Sequence, residues 1–320
     1  METISLWVLA GVFAVVNGAN DGSTLIANGL KIASARPLTA ILLLVTAVAI
    51  VPFAIGSEVA TTLVDRLVDL EGTQGKITVS VALAAAIVVT TALTRLGLPT
   101  SLTLALIGGL AGAGAGAGLP VAWSTVALVL VIAAVAPLVG GGLAFLLAAI
   151  PLRTPGRLRA DQAVAALHRI GFVLQCLGYG ANDGQKIVAV GAVAMGVTAA
   201  GFASNPLAMA GVAALFLVGI LISLRRMAQT MGSGVVATRP YDSAMAGISS
   251  AAAVLTTAAV GAPVSTTQST AGALVGAAAR RSPRSVRWNI VARLGGAWGL
   301  TLPCSGLLAF ATTALVAALG

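Results

Sequence analysis

Apolar residues run along this chain in long, unbroken stretches instead of recurring at the spacing of an amphipathic helix or strand. They fall near 4–35, 38–56, 77–96, 98–118 and 121–150, and again near 168–200, 204–223, 241–260, 261–279 and 290–318. A membrane-spanning helix needs about 20 such residues, and a helix apolar on every side belongs in lipid or a deep core. The apolar–polar alternation of a spanning strand is absent. The pattern predicts an all-α polytopic membrane protein of about ten segments. Two of them, 98–118 and 261–279, are short and glycine-rich and are expected to be broken or re-entrant. The N-terminus opens Met-Glu-Thr, with no basic stretch and no Ala-x-Ala site before Asn17, so it reads as a first span and not a cleaved signal.

Composition agrees. Charged residues are 8% and hydrophobic residues 58%, with a mean hydropathy of +1.03; a water-soluble domain carries about a quarter charged. Lipid must therefore be the main solvent. The net charge of +9 suggests nucleic acid at first sight. That class is excluded, because Lys and Arg lie in short clusters between apolar stretches and no basic run is interleaved with aromatics. Such clusters orient a membrane protein. Cys176 and Cys304 lie alone in apolar surroundings and are expected to be buried structural thiols. His168 and Arg169 are expected at the membrane interface, and His168 has no visible set of metal partners.

The chain repeats itself. Residues 18–22 read Gly-Ala-Asn-Asp-Gly, and so do residues 180–184, an offset of 162. Pro-Thr-Ser-Leu-Thr at 99–103 is followed by Gly108 and Gly112; Pro-Val-Ser-Thr-Thr at 263–267 is followed by Gly272 and Gly276, an offset of 164. Two unlike motifs in one order at nearly one offset point to duplication. Residues 1–150 form a first repeat of five segments, 151–169 a linker, and 170–320 a second repeat.

Charge then sets sidedness. The 57–76 loop carries Glu58, Asp65, Asp69 and Glu71 against Arg66 and Lys76, which places it outside. Arg153, Arg157, Arg159 and Arg169 place 151–169 inside, Arg225, Arg226 and Arg239 place 224–240 inside, and Arg280, Arg281, Arg284 and Arg287 place 280–289 inside. Five crossings per half satisfy all four placements, with both termini outside and the second half inverted. Inverted repeats with interrupted helices are the usual build of secondary transporters.

Asp21 and Asp183 are the sharpest chemical feature. Each lies well inside an apolar stretch, where a carboxylate costs at least about 2.5–3.5 kcal/mol. It persists there facing a cavity, a cation or a partner. The flanking glycines permit unwinding, which would expose carbonyls to a cation; the competing reading is an Asn/Asp pair bonding across helices. Asn20 and Asn182 precede the two carboxylates. Lys186 stands three residues after Asp183, close enough to pair with it in a helix or to face an anion, and Gln185 offers an amide beside it; the equivalent of Lys186 is Thr24. Ser101, Thr103, Ser265, Thr266, Thr267 and Gln268 open two short helical pieces behind Pro99 and Pro263. Free N–H groups and hydroxyls at a helix start suit an oxyanion; the alternative is plain helix capping. The Gly-x-x-x-Gly steps are expected to serve helix packing.

No phosphate-binding Gly-x-x-x-x-Gly-Lys loop, metalloprotease helix or nucleophile elbow is present, so the chain does not read as an enzyme, and no metal site is certain. The paired motifs, Gly18 to Asp21, Gly180 to Asp183, Pro99 to Thr103 and Pro263 to Gln268, resemble the PiT inorganic phosphate transporter family over nearly the whole chain. The resemblance implies symport of inorganic phosphate across the plasma membrane with a coupling cation, H⁺ or Na⁺, and is compatible with a homodimer; Asp21 and Asp183, with Asn20, Thr24 and Asn182, are expected to hold that cation or, at a carboxylate, to take a proton. Sulfate or a related oxyanion is the alternative substrate, and an anion channel the alternative class. The family commonly has Asn three residues after each signature Asp, a Na⁺ ligand; here those positions are Thr24 and Lys186, so an ammonium stands where a sodium would bind. Leu102 and Leu104 also replace a hydroxyl and a polar residue common in the family.

Overall fold

In hydrocarbon every backbone N–H and C=O must find a partner within the chain, which leaves the helix as the economical solution for apolar stretches of this length. The computed structural model describes residues 2–31, 36–68, 70, 72–95, 100–151, 157–231 and 239–319. Among these, an isolated bridge between Val68 and Val121 is the extended pairing; the rest of the regular structure is helical.

The first half comprises α1 (Glu2–Asn17), α2 (Ser23–Gly29), α3 (Pro37–Ile55), a short α4 (Glu58–Thr61), α5 (Gly72–Arg95), α6 (Leu102–Gly116) and α7 (Trp123–Leu147). The second comprises α8 (Arg157–Tyr179), α9 (Gln185–Met195), a short α10 (Ala199–Ala203), α11 (Pro206–Met231), α12 (Pro240–Ala259), α13 (Thr266–Arg281) and α14 (Trp288–Leu319). Six helices among the described residues are long and apolar enough to cross a membrane: Ile4–Gly29, Pro37–Ile55, Gln74–Arg95, Trp123–Leu147, Pro206–Arg225 and Trp288–Ala318. Large apolar side chains such as Leu207, Leu138 and Leu307 point outward, while Asn17, Asp21, Thr103, Asp183, Lys186, Ser265 and Thr266 are buried. This inside-out distribution is that of a polytopic membrane protein.

The glycine motifs do not unwind the helices, as the sequence suggested. Each widens into a π turn, Gly18–Gly22 between α1 and α2 and Gly180–Gly184 between α8 and α9. Ser23 N–H reaches back to the Gly18 carbonyl, five residues away. A π turn inserts one extra residue and disturbs the carbonyl ladder without ending the helix. The glycines are required by close approach. A Cβ on Gly18 would stand 2.1 Å from the Phe216 carbonyl of α11, and one on Gly180 would stand 2.5 Å from the Ala47 carbonyl of α3.

Packing pairs elements across the two halves. The first π turn packs on α11 and the second on α3; α6 packs on α14 and α13 on α7; α5 packs on α14 and α12 on α7. The Gly-x-x-x-Gly steps serve close packing, as expected. Cβ atoms on Gly108 and Gly112 would meet the carbonyls of Leu302 and Gly306 at 2.4 and 2.1 Å, and on Gly272 and Gly276 those of Pro137 and Gly141 at 2.2 and 1.9 Å.

The acidic 57–76 segment is more than a surface loop. Its α4 and the π turn Thr62–Arg66 bury Val59, Ala60 and Leu63 against the protein, leaving Glu58 and Arg66 paired at 3.1 Å on the outside. Asp69 and Glu71 lie outside the described residues, as do Pro99 and Arg153. Two smaller expectations need correction. His168 is buried, its Nε2 lying 3.1 Å from the Gly29 carbonyl, because α8 packs against the end of α2. Cys176 is buried, but Cys304 is exposed on the outer side of α14.

Candidate functional site

The two π turns bring Asp183 and Asp21 into the protein interior, where they are 1% and 3% exposed. Two helix starts meet them. Ser101 caps α6 by accepting the Leu104 N–H at 3.3 Å, and Ser265 caps α13 by accepting the Gln268 N–H at 3.3 Å. Both capping residues have extended backbones that turn the chain sharply into the helix. With only 15 and 16 residues, these helices are about 22–24 Å long against a hydrocarbon core of about 30 Å. Their starts are buried, and they end before the 117–122 and 282–287 connections.

Lys186 joins the pieces. Its ammonium donates to Asp183 Oδ1 at 2.8 Å, to Thr103 Oγ1 at 2.6 Å and to the Val264 carbonyl at 2.6 Å. An ammonium has three N–H groups, so every donor is used. Thr103 in turn donates to the Val264 carbonyl at 3.2 Å, and Thr266 donates to the second oxygen, Oδ2, of Asp183. Asn182 Nδ2 reaches the Ala262 carbonyl at 3.4 Å, while its Oδ1 is buried without a partner. The network crosses from the first half, through Thr103, to the second. A buried ion pair satisfied on this scale sits in a local dielectric that makes every contact strong and every lost one costly.

Asp21 has no such shell. Asn20 Nδ2 donates to its Oδ1 at 3.0 Å, and the carboxylate lies within electrostatic reach of Asp183 and Lys186. Thr24, the counterpart of Lys186, bends back to the Asn20 carbonyl at 2.6 Å. Leu102, the counterpart of Thr266, has no hydroxyl to give.

The remaining residues singled out in the sequence divide. Ser265 and Thr267 share a hydrogen bond of 2.9 Å at the start of α13. Gln185 caps α4: its Oε1 accepts the N–H groups of Val59 and Ala60 at 2.8 and 3.2 Å. Gln268 lines an apolar cavity of about 690 Å³ between α7, α13 and α14. Sequence reasoning missed three polar contacts beside the motifs. Tyr179 donates to Asn17 Oδ1, joining two positions related by the 162-residue offset. Ser223 of α11 donates to the Ala19 carbonyl at 2.5 Å, a carbonyl disturbed by the first π turn. Gln175 bonds Ser250 at 2.9 Å and Thr270 at 3.3 Å. The signal for the first was available, since each polar residue immediately precedes its motif glycine.

With this geometry in hand, the comparisons with known proteins carry weight. The profile of the phosphate transporter family matches residues 17–174 and, a second time, residues 156–309. A probable low-affinity inorganic phosphate transporter of Rhizobium meliloti is 29% identical over 322 residues, 96% of each chain. One from Mycobacterium tuberculosis is 31% identical over 330 residues, covering 98% of this chain and 77% of that protein. One from Bacillus subtilis is 26% identical over 96% of this chain. A solved structure of a sodium-dependent phosphate transporter, 18% identical, superimposes over 100% of both chains with a TM-score of 0.82 and shares the fold. Matched along nearly its whole length by that profile, and by a relative above 30% identity, this chain belongs to the phosphate transporter family.

Proposed function

We propose that the chain carries inorganic phosphate across the plasma membrane by cation-coupled symport. Two five-segment repeats, 1–150 and 170–320, joined by the 151–169 linker, lie inverted in the membrane and rock about the central site. The exchanged packing of equivalent helices supports this arrangement. So does the contrast between the acidic 57–76 segment and its basic counterpart at 224–240. Both termini lie outside, and α6 and α13 enter from opposite faces as re-entrant helices.

Phosphate binds between the two helix starts, beside the hydroxyls of Ser101, Thr103, Ser265, Thr266 and Thr267 and the N–H groups of both first turns; Thr103 and Thr266 turn their hydroxyls from the Val264 carbonyl and Asp183 to donate to it. Those groups donate to an oxyanion without adding fixed charge.

The observation that carries the coupling is the saturated Lys186. Its ammonium neutralises Asp183 and spends all three N–H groups inside the protein. It occupies the place of a cation in the second half. Asp21 has no ammonium of its own among the described residues. With both carboxylates ionised the cluster carries one net negative charge, which opposes an incoming phosphate at low dielectric. A proton or a sodium ion at Asp21, with Asn20 beside it, removes that charge. Binding of anion and cation then assist each other, the thermodynamic requirement for symport. Asn182, tied to the Ala262 carbonyl through Nδ2, positions Asp183 beside Lys186.

The test is uptake of radiolabelled phosphate into proteoliposomes, with Na⁺ and pH gradients imposed separately. Accumulation under either gradient alone identifies the coupling ion. Accumulation of sulfate in place of phosphate would move the substrate to another oxyanion. Movement of phosphate only down its own gradient, whatever the cation, would make the chain a channel and overturn the proposal.

A further inference from the structure

The cavity between α7, α13 and α14 is separate from the carboxylate network and has a shape of its own. It measures about 690 Å³ and is lined by apolar side chains apart from Gln268 and the indoles of Trp288 and Trp298. One end reaches Gln268 in the first turn of α13, deep in the protein. The other end reaches Trp288 and Gly276, beside the 280–289 loop. From Gln268 to Gly276 the groove follows α13 for about 12 Å, close to the depth of one leaflet's hydrocarbon, about 15 Å. Its wall on α14 is open: a Cβ on Gly295 or Gly299 would meet nothing within 4 Å.

Charge marks the mouth. Arg280 in the last turn of α13 and Arg284 and Arg287 beyond it are exposed, and Arg280 stacks over Phe145 of α7 at 5.5 Å. Trp288 is exposed at the same level, with its indole N–H bonded to the Pro283 carbonyl at 3.1 Å. An aromatic ring and guanidinium groups at the end of an apolar groove match the headgroup region of a bilayer.

We infer that this groove holds one acyl chain of an anionic phospholipid from the leaflet faced by the 280–289 loop, with its headgroup on Arg284 and Arg287. The chain runs inward along α13 and ends at Gln268, three residues from Ser265. The lipid thus fills the space between the last helix of each half, α7 and α14, and braces the helix whose start contributes hydroxyls to the central site. The fit rests on depth, apolar lining and charge at the mouth, and is independent of the substrate.

The test compares the purified full chain in neutral detergent supplemented with phosphatidylglycerol or with phosphatidylcholine. Native mass spectrometry counts retained lipid and thermal unfolding measures its effect. The expected result is retained phosphatidylglycerol and a larger rise in Tm than phosphatidylcholine gives. The Gly295→Leu, Gly299→Leu double variant, which fills open space, should lose the retained lipid. The Arg284→Gln, Arg287→Gln variant should remove the preference for phosphatidylglycerol, and it leaves the groove intact should the first variant fail to fold. Equal retention of both lipids by the parent chain overturns the inference. So does a groove-filled variant that keeps its lipid but changes from dimer to monomer, a result that would assign the groove to a second copy of the chain.

Discussion

The pentapeptides at 18–22 and 180–184 share a sequence, a π-helical backbone and a close approach to a helix of the other half, yet they differ in charge environment. In the second, Asp183 is held by Lys186 and Thr266 and tied through Lys186 to Thr103. In the first, Asp21 receives only the adjacent Asn20 amide among the described residues. The difference does not arise in the motif. It comes from two neighbours, Thr24 in place of Lys186 and Leu102 in place of Thr266. Two differences outside the pentapeptide leave one carboxylate paired with an ammonium and, in the proposed mechanism, the other to take the cation.

The strongest way to break this comparison is Asp183→Asn. It strands a buried ammonium, and removing one partner of a buried pair costs about 3–5 kcal/mol. The variant should lose phosphate uptake and unfold at markedly lower temperature, as read by thermal unfolding in detergent. Next come Gly18→Ala and Gly180→Ala, whose added Cβ atoms meet backbone carbonyls at 2.1 and 2.5 Å. Overpacking of this kind costs about 1–3 kcal/mol. Similar losses in the two variants would show that the scaffold is symmetric where the chemistry is not. Tyr179→Phe removes the hydrogen bond to Asn17 that joins equivalent positions and leaves a buried carbonyl oxygen unpaired. A loss of about 1–3 kcal/mol is expected, again from thermal unfolding. The smallest stability effect belongs to Asp21→Asn. Replacing a buried carboxylate that no ammonium or guanidinium contacts among the described residues should leave Tm unchanged or raised, the reverse of Asp183→Asn.

Much of this architecture is legible in the sequence, for identifiable reasons. Membrane segments are written as apolar runs because lipid leaves no alternative. The caps at Ser101 and Ser265 and the Gly-x-x-x-Gly steps are local features, written by residues within a turn or so of each other. The pairing of Lys186 with Asp183 follows from a three-residue spacing. What the sequence conceals depends on distant neighbours. That the Oε1 of Gln185 caps α4 depends on a segment 126 residues away. Gln268 belongs to the hydroxyl motif by position but faces the groove between α7 and α14. His168 is buried only because α8 lies against the end of α2. Glycine flanking an intramembrane Asp is compatible with unwinding and with a π turn alike; the packing of α11 and α3 against the two motifs accompanies the π form.

The central claim is that Asp21 couples the cation while Asp183 and Lys186 hold the site together. It is tested most directly by reconstituting Asp21→Asn and comparing two rates: exchange of labelled for unlabelled phosphate at equilibrium, and accumulation driven by an imposed Na⁺ or pH gradient. The account predicts that exchange persists while gradient-driven accumulation is lost, because the neutral amide mimics the cation-bound carboxylate. Accumulation that survives in Asp21→Asn, under the gradient that drives the parent chain, would contradict it.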